Sequence, residues 1–152
     1  MYEDEVSHYL EMMKKTLSQP TFDFSKATSE RVPRESGVYV IYDMSARALQ
    51  QQIIYAGRTK NLRRRLLGDH KRGNIEGSQF RKALGQTLET SDEKEISRYI
   101  GKNCTFRFMV VESFEEAVRL EHFTTAILAP ILNVKHKQWS NIRARLKSQQ
   151  LL

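Results

Sequence analysis

The sequence predicts an α/β (α+β) single domain: a small, mainly antiparallel three-stranded sheet flanked by helices, with a further helix at each end. Three observations carry this. Two β-rich runs, Gly37 to Asp43 and Gln52 to Gly57, are apolar on both faces, the pattern of strands covered on both sides. Apolar residues recur at spacings of three and four in Glu3 to Leu17 and again in Phe114 to Leu128, as in amphipathic helices. A chain of 152 residues is about one domain and long enough for a single core.

In chain order, Glu3 to Leu17 is expected as a helix with Val6, Tyr9, Leu10, Met13 and Leu17 on its buried face, ended by Gln19-Pro20. Thr21 to Glu35 reads as an irregular connector pinned by Phe22 and Phe24. Residues 1–35 are too short for a core of their own, so they pack on the body, which spans 36–134. In the first strand Val38, Val40 and Tyr42 share one face and Tyr39 and Ile41 the other. In the second, alternation groups Ile53 with Tyr55 and Ile54 with Ala56. Met44 to Gln51 joins them as a long hairpin connection, with a helical turn expected over Ser45 to Leu49.

Thr59 or Asn61 can cap a helix reaching about Leu67, because either side chain accepts from free backbone N–H groups at a helix start. Those N–H groups and the helix dipole favour a phosphate. Gly68 to Gly77 follows as a basic loop. Ser78 caps a short helix to Leu84, and Ser91 to Ile100 forms another. Cys104 to Glu112 is the third strand. Ser113 caps the long helix Phe114 to Leu128, which Pro130 stops, and Asn141 to Gln149 is expected as a basic helix within a tail spanning 135–152.

A net charge of +7 and a pI near 9.6 favour a polyanionic partner, nucleic acid before an anionic membrane surface. The positive charge is concentrated: no acidic residue occurs from His122 to Leu152, and Arg58, Lys60, Arg63, Arg64, Arg65, Lys71 and Arg72 follow the second strand. A solvated basic face is the plain alternative for the tail alone. One cysteine, Cys104, in a strand beside Phe106 and Phe108, reads as a buried, inert thiol. The acidic start has no secretory character and no apolar run approaches the ~20 residues that span a bilayer. A soluble, cytoplasmic protein is expected.

Gly37-Val38-Tyr39, Tyr55-Ala56-Gly57, and the run Gly57 to Leu66 with its Asn61-Leu62 and Arg65 together resemble the GIY-YIG nucleases. The helix holding Glu115-Glu116-Ala117-Val118-Arg119-Leu120-Glu121, followed by Ala129-Pro130-Ile131-Leu132-Asn133, is similar to the family's late helix and closing asparagine. Either tripeptide alone is a weak signal. Their conjunction with the Asn-Leu helix start, the helical glutamate and the P-x-x-N closure, over about Gly37 to Asn133, is a specific one.

The resemblance implies hydrolysis of DNA phosphodiester bonds with one Mg²⁺ or Mn²⁺ ion. Tyr39 would position or deprotonate the attacking water, Tyr55 would assist or hold phosphate, Arg65 would brace the scissile phosphate, and Asn133 would support the site from behind. Glu121 stands out on physical grounds as well. With Phe114, Val118, Thr125 and Leu128 it shares the face the helix should bury, where an unpaired carboxylate costs several kcal/mol and must meet a cation, donors or a metal. A structural salt bridge is its plain alternative. One carboxylate with waters and phosphate oxygens suits Mg²⁺.

Periodicity does not choose between Arg63 and Arg65, which both flank the apolar side set by Leu62, Leu66 and Leu67, whereas Arg64 points most outward. The family's spacing chooses Arg65. Arg58, Lys60 and His70 are candidate phosphate contacts, joined from the tail by Arg143, Arg145 and Lys147. His70 lies one residue past the position where the family's histidine or tyrosine is expected, so a surface histidine is its alternative. Tyr39 and Tyr55 could equally be core aromatics with bonded hydroxyls. No Cys/His cluster supports zinc and no phosphate-binding loop motif supports nucleotide hydrolysis. A DNA-binding module without turnover, or a nuclease subunit needing a targeting partner, is the competing reading. Duplex, single-stranded and branched DNA, RNA, oligomeric state, and restriction, repair or homing roles are left open.

Overall fold

A computed structural model of the chain describes residues 2–45 and 52–133. In order these form α1 (Glu3–Leu17), β1 (Phe22–Asp23), a 3₁₀ turn (Ser29–Arg31), β2 (Gly37–Asp43), β3 (Gln52–Thr59), a π-helix (Arg64–His70), α2 (Gln79–Leu88), α3 (Glu93–Asn103), β4 (Cys104–Val110), α4 (Phe114–Leu128) and a 3₁₀ turn (Ile131–Asn133). The strands make one antiparallel sheet in the order β1-β4-β2-β3.

The sheet therefore has four strands where the sequence predicts three. The extra one lies in the expected connector, where Phe22 pairs with Phe106 and Asp23 with Thr105. Two residues are too few to show an alternation. The phenylalanines pin this segment as expected: Phe22 stacks on Phe106 and Phe108 at 5.6 Å, and Phe24 is fully buried.

One face of the sheet carries the larger core, in which Tyr39, Ile41, Ile54 and Phe106 meet Phe80 and Leu84 of α2 and Ile96 and Ile100 of α3. The other face packs under α1 and α4 through Val38, Val40, Tyr42 and Ala56. Both faces of β2 are thus apolar, as the sequence requires. In β3 simple alternation fails, because Ile41 pairs with Tyr55 and Tyr42 with Ile53, leaving Ile54 unpaired in a bulge. The extra residue re-phases the strand: Ile54 and Tyr55 join the Tyr39 side, and Ile53 and Ala56 the Val40 side.

Two helices bury a different stripe from the one expected. In α1 the buried residues are Tyr9, Met13 and Thr16, while Val6 and Leu10 are exposed. In α4 the buried stripe is Ala117, Leu120, Glu121 and Thr124, with Phe114, Val118, Thr125 and Leu128 only half-buried beside it. Glu121 is therefore at the flank of the buried stripe, beside the cleft described below. Ser113 caps α4 by accepting from the Glu116 N–H, and α4 ends at Ala129 in the left-handed region (φ 43°) ahead of Pro130. Cys104 is buried and desolvation pushes its thiol up, so it is inert. No helix among the described residues is long and apolar enough to cross a membrane. The expected turn at Ser45 to Leu49 lies almost wholly outside the described residues, and the tail helix lies wholly outside them.

Candidate active site

The cleft forms where β2, β3, the π-helix and α4 converge, and measures about 630 Å³. Tyr39 and Tyr55 reach its wall from neighbouring strands, their rings stacked with centroids 6.3 Å apart. Gly57, paired with Tyr39 across β2 and β3, is a steric requirement: a Cβ there would collide with the Tyr39 hydroxyl and ring. Gly37 is needed for the same reason, because a Cβ would run into the Met109 carbonyl and the Leu62 side chain.

Beyond β3, Thr59 accepts from the Asn61 N–H and Asn61 accepts from the Arg64 N–H at 3.0 Å, so Asn61 caps the helix start. The helix does not stop near Leu67. After residues 62–63 it widens into the π-helix, in which the Lys71 N–H reaches back five residues to the Leu66 carbonyl. A π-turn holds one more residue than an α-turn, so His70 comes round to the face where position 69 of an α-helix would stand.

This corrects the expectation for His70. It is 1 % exposed rather than on the surface, with Nε2 2.7 Å from the Tyr39 hydroxyl and Nδ1 2.8 Å from Ser78 Oγ. Both ring nitrogens are engaged, which leaves none for a phosphate. Burial, with Arg65 and Arg81 nearby, lowers its pKa to about 3, so the ring is neutral. Burial also pushes the Tyr39 phenol well up, with Tyr55 adding to this and Arg65 opposing it. Tyr55 is raised in the same direction by burial and by Glu121.

Arg58, Lys60, Arg64 and Arg65 supply the positive wall. Arg65 pairs with Asp69 at 3.3 Å, and Lys60 lies 5.1 Å over the Phe114 ring. Arg64, expected to point outward, also lines the cleft, whereas Arg63 is turned back onto the Val32 carbonyl at 2.7 Å. Glu121 closes the far side, its Oε2 accepting from Arg58 at 3.1 Å and its Oε1 from Thr125 at 3.3 Å. His122 lies 3.7 Å from the same Oε2. Glu121 thus has the structural ion pair of its plain alternative and also faces the cleft. Among the described residues no group of three or more His, Cys, Asp and Glu could hold an ion; of the carboxylates lining the cleft, Asp69 is paired with Arg65, and Glu121 and Glu76 offer hard oxygens without forming such a cluster. That fits Mg²⁺ or Mn²⁺ completed by water and phosphate oxygens.

Asn133 stands outside the cleft. Its amide donates to the Ala56 carbonyl and accepts the Ala56 N–H, both at 2.8 Å, fastening the end of α4 to β3 between Tyr55 and Gly57. Sequence reasoning passed over Ser78 as more than a cap, and missed Asp69 and Arg81. Arg81 is fully buried and donates to the carbonyls of His70, Lys71 and Glu93, to Ser97 and to the Glu93 carboxylate. Nothing in the local pattern of α2 marks it. Arg143, Arg145 and Lys147 lie outside the described residues.

Comparison with known proteins finds similarity over most of the chain. UvrABC system protein C of Dictyoglomus thermophilum is 31% identical over 111 residues, covering 72% of this chain and 14% of that protein. The chain thus spans about one seventh of the length of that curated relative. The GIY-YIG N-terminal endonuclease domain of UvrC from Thermotoga maritima, solved with its catalytic magnesium, is 21% identical over 82% of this chain and 98% of that one, with a TM-score of 0.43. A point mutant of the same domain, also bound to its catalytic divalent cation, gives 20% identity over the same shares and a TM-score of 0.41. The GIY-YIG catalytic domain family matches residues 36–151, most of the chain and every motif lining the cleft, and the protein belongs to that family.

Proposed function

We propose that the protein is a metal-dependent endonuclease that hydrolyses DNA phosphodiester bonds in this cleft. The observation that carries the reading is the meeting of Tyr39, Tyr55, Arg58, Arg65 and Glu121 around one cleft. Arg58 and Arg65 are placed to take non-bridging phosphate oxygens, and their charge counts for more as negative charge builds on phosphorus. Lys60 and Arg64 extend the same wall along the backbone. The Tyr39 oxygen, at the cleft wall and tied to His70, is the group that meets the attacking water; Tyr55 beside it holds phosphate or orders the same water. Glu121 holds the divalent ion, which when bound supplies Lewis-acid stabilisation to the leaving oxygen. Arg58, paired with Glu121 in the free protein, exchanges that partner for phosphate.

Plasmid nicking in Mg²⁺, with and without chelator, tests this. Wild type nicks only with metal, and Glu121→Gln binds DNA but does not cut. If Glu121→Gln cuts at the wild-type rate, the metal assignment is wrong. If wild type binds DNA and cuts no duplex, single-stranded or branched substrate, the chain is the competing binding module.

A further inference from the structure

The hydrogen bonds behind Tyr39 carry more than the pairing of tyrosine and histidine. Ser78 caps α2 by accepting the Arg81 N–H at 3.1 Å, and its oxygen lies 2.8 Å from His70 Nδ1. The serine is 1 % exposed, and among the described residues Nδ1 is the one acceptor in reach of its hydroxyl. His70 is neutral, so one ring nitrogen carries hydrogen and the other a lone pair.

Two arrangements satisfy the distances. In the first, Tyr39 donates to Nε2 and Nδ1–H donates to Ser78. The serine oxygen then accepts twice, and its own hydrogen is buried without an acceptor. In the second, Ser78 donates to Nδ1 and Nε2–H donates to the Tyr39 oxygen. Both hydrogens of the His70–Ser78 pair then have an acceptor, and the one left over is that of Tyr39, a residue that lines the cleft. The second arrangement is the one a buried network keeps.

We propose that Ser78 is a positioning residue that fixes His70 as the Nε2–H tautomer, making His70 a hydrogen-bond donor to the Tyr39 oxygen and not a proton acceptor from it. The proposal rests on Tyr39 being the group that meets the attacking water. On that reading His70 Nε2–H and the Arg65 charge oppose the burial that raises the Tyr39 phenol, and its cleft-facing hydrogen leaves to solvent to give the phenolate. Water then gives a proton to the phenolate as its oxygen bonds to phosphorus. The phosphorus bond to the leaving oxygen breaks, and solvent protonates that oxygen. The phenol is regenerated. Arg81 serves the same end by holding the His70 and Lys71 carbonyls, so the imidazole and the α2 cap stay in register.

The decisive comparison is between Ser78→Asp and Ser78→Thr in the full chain. Aspartate caps a helix as well as serine, but it has no hydroxyl and accepts from Nδ1–H, forcing the opposite tautomer. Nitrogen-15 NMR of the histidine ring, assigned against His70→Gln, should show Nε2–H in wild type and Ser78→Thr and Nδ1–H in Ser78→Asp. Single-turnover cleavage should fall on the order of a hundredfold in Ser78→Asp with DNA affinity unchanged. The rise of rate with pH should move upward, and Ser78→Thr should restore both. Nδ1–H in wild type overturns the proposal. So does a Ser78→Asp variant with the reversed tautomer that cuts at the wild-type rate or faster, since His70 would then be accepting the proton. If wild type proves inactive on every DNA while the tautomers are as stated, the tautomer assignment stands and the nuclease reading has failed separately.

Discussion

Replacing Gly57 with alanine probes the tightest contact in the site. The new Cβ would collide with the hydroxyl and ring of Tyr39. Neither side can yield cheaply. Gly57 is held in register between β2 and the Asn133 amide on Ala56. Tyr39 is packed against Tyr55 on one side and His70, at 5.4 Å, on the other. Overpacking of this kind costs about 1–3 kcal/mol, and displacing the Tyr39 hydroxyl from His70 adds about 1 kcal/mol. A total of about 2–4 kcal/mol corresponds to a fall of about 1–2 M in urea midpoint for an m-value of ~2 kcal/mol/M. Cleavage should be lost with it on the proposed reading, in which the displaced oxygen meets the attacking water. Gly101→Ala is the control: nothing lies within 4 Å of its added Cβ, and helix propensity should raise stability by about 0.5–1 kcal/mol. In a double-mutant cycle, Tyr39→Phe removes the colliding oxygen and should recover ~1 kcal/mol of the Gly57→Ala cost. Equal urea midpoints for wild type and Gly57→Ala, with zero coupling to Tyr39→Phe, would refute the contact.

The other predictions concern charge. Arg65→Ala should slow single-turnover cleavage about a hundredfold, equivalent to ~3 kcal/mol, while Arg64→Ala mainly weakens binding; equal rate losses would show that Arg65 has no privileged contact. The buried, neutral His70 makes stability pH-dependent. Its folded pKa of about 3 lies below the unfolded 6.5, so its contribution is complete above pH 6.5 and is lost as pH falls towards 3, by roughly 1.4 kcal/mol per pH unit. Urea unfolding between pH 7.5 and 5 should show that slope in wild type and a shallower one in His70→Gln; parallel curves would contradict the burial. Charge-neutral substitutions at Arg143, Arg145 and Lys147 should weaken binding evenly across sequences and lower the slope of log affinity against log salt by ~0.9 for each phosphate no longer neutralised. An unchanged slope would mean that the tail holds no phosphate.

What the sequence made legible follows from the size of each signal. The α4 helix was readable to the residue because Ser113, a three-and-four repeat and Pro130 all mark it. Glu121 stood out physically as a carboxylate on an apolar helical face, whereas Tyr39, Arg58 and Arg65 were placed beside it by the resemblance of their motifs, since periodicity alone does not separate Arg65 from Arg63. Three features were not readable, each for its own reason. Phe22–Asp23 is shorter than any alternation, the Ile54 bulge shifts phase without changing composition, and the π-helix violates the 3.6-residue period by which helices are recognised. That last departure decided His70, whose position looked one residue wrong until the wider turn absorbed it. Arg81 was invisible because a buried arginine is recognised by the carbonyls around it, which come from the end of the π-helix and the start of α3, both outside its own helix.

The Asn133 amide has a consequence for solubility as well as for the site. β3 is the last strand of the sheet, and an outer strand offers its free N–H and C=O groups to any passing chain. By occupying both polar groups of Ala56 from the side, a single asparagine stands in for a missing neighbouring strand at the point where Ile53, Ile54 and Tyr55 give way to the charged cleft. Asn133→Ala would open that edge beside an apolar run. Its first symptom should therefore be self-association on warming, visible by light scattering below the temperature at which the domain unfolds.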